Sequence, residues 1–88
     1  MTDLHKKALY LSSHRGTKEA DHIIGSFVKN FLMSVDPGML PALCDFLYED
    51  DDKIMAWGKC KEASPQQFIE IIKSFRQWLV TLEGSIHG

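Results

Sequence analysis

Apolar residues recur along this chain at three- and four-residue intervals, and no convincing two-residue alternation appears. That period gathers side chains on one face of an α-helix, not of a strand. Leu4, Ala8 and Leu11 make a short first stripe, with Thr2 or Asp3 as its cap and Ser12–Gly16 as its end. Ile24, Phe27, Val28, Phe31 and Leu32 make a full stripe on a second helix that starts near Thr17. Gly25 interrupts that stripe. A mid-helix glycine costs up to about 1 kcal/mol against alanine, so its presence points to close approach of another helix.

Asp36-Pro37 is a start signal of two parts, a side-chain acceptor followed by a locked φ. Leu40, Leu43, Cys44 and Leu47 carry the third helix, and Pro41 fits only if it falls in the first turn. After the acidic run Glu49–Asp52, Asp50 or Asp51 can cap a short fourth helix over Asp52–Trp57, with Gly58 as its stop. Ser64-Pro65-Gln66-Gln67 reads as a capping box for a fifth helix bearing Phe68, Ile71, Ile72, Phe75, Leu79 and Leu82 on one face. The pattern predicts an all-α fold, a single small bundle of about five helices. One domain spans residues 1–88, with its core over about 3–82 and a tail at 84–88 that frays.

Composition narrows the function classes. At 88 residues with 44% hydrophobic and 25% charged positions, there is material for one core and for no deep substrate cleft. Lys plus Arg is 10 against 12 for Asp plus Glu, a net charge of −2, and the cations are not clustered. Nucleic acid is therefore not an expected partner, because its phosphates demand clustered cations. Two cysteines are too few for a disulfide scaffold, and no apolar run is long enough to cross a membrane. The N-terminal segment lacks the marks of a signal or transit peptide, so a bacterial cytoplasmic setting without membrane insertion is expected. A monomer is expected in preference to a dimer.

Catalytic and metal signatures do not emerge. His5, His14, His22 and His87 show no metal-ligand spacing with Cys44 or Cys60, and no nucleophile or phosphate-loop motif occurs. Cys44 falls on the third stripe and reads as a core residue. No catalytic residue, bound cofactor or metal is expected.

The unusual segment is His14-Arg15-Gly16-Thr17-Lys18-Glu19-Ala20-Asp21, at the bend between the first two helices. Capping accounts for each residue type singly. Gly16 suits a left-handed helix end, Arg15 suits a C-terminal dipole, Thr17 caps, and Glu19 and Asp21 suit a first turn. Their conjunction suggests something else: a guanidinium fork beside an open backbone and two carboxylates, a recognition corner for another protein.

Arg15-Gly16-x-x-Glu19-x-Asp21 resembles the RGxxExD signature of the SdhE-type succinate dehydrogenase assembly factors, the flavinylation factors. With His14, Ile24, Gly25 and Phe27 it is similar to their α-proteobacterial branch. Asp50-Asp51-x-x-Ile54-x-x-Trp57 resembles the family's acidic segment leading to a Trp, although Tyr48 and Lys53 stand where acids are common. The resemblance implies a helical accessory protein that is not itself an enzyme. It would bind the flavoprotein subunit of succinate dehydrogenase, and in some bacteria that of fumarate reductase, and promote covalent attachment of FAD to a client histidine. The FAD would belong to the client. Arg15, Gly16, Glu19 and Asp21 carry over as the docking surface, and His14, Asp50, Asp51 and Trp57 join them as partner-binding candidates. The alternative is a helical adaptor with no flavoprotein client.

Overall fold

Thr2 opens the first helix with a reciprocal cap. Its Oγ1 accepts from the His5 N–H, and His5 Nδ1 accepts from the Thr2 N–H, each at 3.3 Å. The computed structural model describes residues 2–87, and their side chains as far as Leu82. Helix α1 runs Asp3–Ser13 and α2 runs Lys18–Leu32, the latter capped by Thr17, whose Oγ1 accepts from the Ala20 N–H at 3.0 Å. Asp36 caps a 3-10 turn, Pro37–Met39, which leads into α3, Leu40–Leu47, with Pro41 in its first turn. Helix α4 spans Asp51–Gly58. A second 3-10 turn, Gln66–Phe68, leads into α5, Ile69–His87. Among the described residues every regular element is helical, so the expected all-α bundle of five helices is what forms.

Helix α1 lies against α2 and α3, while α5 covers α4 and reaches α2. The α1–α2 contact is close because neither helix puts bulk there. A Cβ on Gly25 would lie 3.3 Å from the Ser12 carbonyl oxygen, the close approach the sequence predicts. Burial on α1 accordingly centres on Ala8 and Ser12, whereas Leu4 stays 37% exposed at the margin of the predicted stripe. The Ser12 hydroxyl is satisfied internally, donating to the Leu9 carbonyl at 3.0 Å. Phe46, Trp57 and Phe68 form an aromatic triangle with ring centroids 5.6–6.0 Å apart, joining α3, α4 and the second 3-10 turn. Phe27 and Phe75, 5.0 Å apart, continue it to α2 and α5.

Two boundary signals work differently from the sequence expectation. Gly58 is not the stop of α4 but its last helical residue. A Cβ there would fall 2.6 Å from the Phe75 ring, so glycine permits the α4–α5 contact. The stop is Cys60, at φ 60°, in a Schellman arrangement: Lys61 N–H donates to the Ala56 carbonyl and Cys60 N–H to the Trp57 carbonyl. The Ser64–Gln67 capping box does not form. Pro65 occupies the cap position without a side-chain bond, and the tighter 3-10 turn delivers Phe68 into the aromatic triangle. The tail expected to fray over 84–88 falls partly on the last turn of α5, which continues to His87; Gly88 lies outside the described residues.

Candidate functional site: the α1–α2 corner

Helix α1 ends at Ser13, and the chain turns sharply through His14, Arg15 and Gly16 into α2. The Arg15 N–H donates to Asp21 Oδ1, which ties the first turn of α2 back to the loop. The Arg15 side chain then crosses to the α3–α4 connection instead of pointing outward. Nε donates to Asp51 Oδ1 at 2.6 Å, Nη1 to the carbonyls of Leu11 and Leu47, and Nη2 to the Glu49 carbonyl at 2.7 Å. The end of α3 leaves carbonyls that no helical N–H reaches, and the guanidinium fork meets them. The second Asp51 oxygen accepts from the Gly16 N–H at 2.9 Å. Asp51 thus holds side chain and backbone of consecutive residues at once.

The expected docking fork is therefore corrected. The Arg15 side chain is only 7% exposed and its donors face inward, so it is an internal staple joining α1, α3 and α4. For Gly16 only the left-handed reading is corrected. Gly16 is exposed, but its φ is not positive, so left-handed freedom is not its function. A Cβ there would sit 3.3 Å from Asp51 Oδ2, so the missing side chain keeps the clamp tight. Burial pushes the Asp51 carboxyl up, but the bonds from Arg15 and Gly16, together with the Arg15 charge, outweigh it and hold the group below the ordinary carboxylate value.

The remaining candidates divide between surface and interior. Glu19, Asp50 and Asp52 are exposed. With Gly16, Ile23 and Met55 they border a hollow of about 560 Å3 whose single cation among the described residues is Lys59. Gly16, Asp50 and Asp51 also border a shallower hollow of about 360 Å3 on the other side, beside His14 and Tyr48. The corner is thus a ridge between two depressions. Asp21 is half-buried and committed to the loop. His14 is exposed, stacked on Tyr10 at 4.0 Å, with Nδ1 2.8 Å from the Tyr10 carbonyl oxygen. Trp57 does not belong to the surface. It is 4% exposed inside the aromatic triangle, so its role as a contact residue is overturned.

Sequence reasoning missed the long-range partner of Arg15, and it missed the exposed aromatics. Tyr10 and Tyr48 are each 61% exposed, and Lys7 Nζ lies 5.1 Å over the Tyr48 ring. Lys53 pairs with Glu62 at 3.0 Å on the surface. Cys44 is buried, and that burial pushes its thiol up, consistent with a core residue. Among the described residues no cluster of three metal-ligating side chains occurs, and no helix is long and apolar enough to cross a membrane.

The surface is thus an acidic, partly apolar hollow beside the clamped corner. Comparison with curated proteins and with solved structures gives no match. A family model described as flavinator of succinate dehydrogenase, Sdh5, matches residues 6–79, which include the corner, the acidic segment and most of the core. On that match the chain belongs to the Sdh5 family of succinate dehydrogenase flavination factors.

Proposed function

We propose that this chain binds the flavoprotein subunit of succinate dehydrogenase through the α1–α2 corner and the hollow beside it, and so promotes covalent attachment of FAD to that subunit. The family match over residues 6–79 carries the proposal. The corner's construction supports it: a buried guanidinium staple is expensive to desolvate, and here it shapes a ridge with free carboxylates on its flank. A fumarate reductase flavoprotein subunit is a second client within the same proposal. The chain works as a monomer in the bacterial cytoplasm and carries no FAD of its own.

The surface chemistry limits the mechanism. Glu19, Asp50 and Asp52 are anions, and anions beside a flavin would disfavour negative charge developing on its ring system. The factor therefore supplies geometry. It holds the client where the flavin 8α-methyl and the acceptor histidine meet, and the client's own groups stabilise the charge. The bond is made by flavin and client, with no catalytic group from this chain.

Co-expression with the flavoprotein subunit, scored by flavin fluorescence on the denatured polypeptide, tests this. Covalent flavin should depend on the chain and should fall about tenfold with Glu19→Lys, at an unchanged melting temperature. Equal flavin with and without the chain would remove flavination from its function. Normal flavin with Glu19→Lys and with Asp52→Lys would move the contact away from the hollow.

A further inference from the structure

A second depression, comparable in size to the hollow at the corner, lies elsewhere on the molecule. It is a cleft of about 590 Å3 at the other end of α2, walled by that helix's last turn, the Pro37–Met39 turn and α5. The hollow takes Glu19, Ala20 and Ile23 from α2 and the cleft takes Phe27, Asn30 and Phe31, so the two sites sit about 13 Å apart along that helix. Three features of the cleft favour the same ligand. Asp36 and Glu70 line it, and among the described residues no Lys or Arg does. The C-terminal end of α2, with its negative dipole, abuts it. Trp78, half-buried, offers an aromatic wall, and ring faces attract cations. The indole Nε1 of Trp78 is closed to solvent and has no acceptor among the described residues.

We infer that this cleft is a second docking site, which receives a Lys or Arg side chain from an extended segment of a partner protein. The cation lies between Asp36 and Glu70 against the Trp78 ring. An anionic ligand, a phosphate group included, is disfavoured by the same charges.

The test uses the whole chain and a blocked tripeptide, N-acetyl-Gly-Arg-Gly-amide, with N-acetyl-Gly-Glu-Gly-amide as control. The chain has two Trp residues and so two indole N–H signals in a nitrogen-correlated NMR spectrum; Trp78→Phe identifies the one of interest. The Arg peptide should move the Trp78 indole signal and leave that of buried Trp57 in place. Asp36→Asn combined with Glu70→Gln should weaken binding about fivefold. The inference is overturned if the Trp78 signal stays still at the highest soluble peptide concentration, or if the Glu peptide moves it equally. It is also overturned if the Arg peptide perturbs only the Glu19–Asp52 surface. None of these readouts involves a flavoprotein, so failure here and failure of the proposed function are separate events.

Discussion

Arg15 and Asp51 show how one ion pair can decide the shape of a site without touching a visitor. Removing the guanidinium strands the Leu47 and Glu49 carbonyls and leaves the Asp51 carboxylate without its cation. Breaking one side of such a pair costs more than the pair contributes, so Arg15→Ala should cost about 3 kcal/mol, seen as a lower urea midpoint at unchanged m-value. Arg15→Lys keeps charge but reaches fewer acceptors, and should recover less than half of that loss. Asp51→Ala should be strongly non-additive with Arg15→Ala in a double-mutant cycle, since both remove the same contact. The pH dependence follows from the lowered Asp51 value. The clamp's contribution is complete above the ordinary Asp value of 3.8 and is lost as pH falls through the lower, folded-state value. Denaturation midpoints taken between about pH 6 and pH 2 should therefore fall on the acid side, and fall less steeply in Asp51→Asn.

Each helix boundary was legible where side chain and backbone interact within a few residues. Thr2, Thr17 and Asp36 cap as their types suggest, and Gly25 marks the α1–α2 contact. Legibility failed where a distant element decided the matter. Nothing local says that Phe75 lies over Gly58, that Cys60 takes the left-handed position, or that Asp51 turns from its own helix to reach Arg15. The same gap explains the candidate site: the sequence identified the corner and the acidic segment separately, whereas their direct contact is a tertiary fact. Two substitutions separate the glycine roles on α4. Gly58→Ala, helix-favouring in isolation, should destabilise by about 1–3 kcal/mol because its methyl group meets the Phe75 ring. Cys60→Gly should stabilise by up to about 1 kcal/mol by removing the left-handed strain. Thermal melts of both variants check the pair, and the opposite order would mean that α4 ends at Gly58 in solution.

The whole molecule places a rigid, acidic end at the start of α2, with the Arg15–Asp51 clamp behind it and α1, α3 and α4 meeting there. Its net charge is only −2, so the long-range field is weak and the local carboxylates around the hollow dominate encounters with a partner. Exposed charges act within about 8 Å at physiological ionic strength, which makes their contribution to docking sensitive to salt. Binding to the flavoprotein subunit should therefore weaken as salt rises, mainly through a slower association rate. Glu19→Gln and Asp52→Gln should each flatten that dependence while leaving dissociation nearly unchanged. Arg15→Ala should do the reverse: its effect lies in the shape of the ridge, so dissociation quickens and the salt slope persists. Surface plasmon resonance at two salt concentrations separates these patterns. A flattened salt slope with Arg15→Ala would mean that the guanidinium turns outward to meet the client, and that the clamp opens on binding.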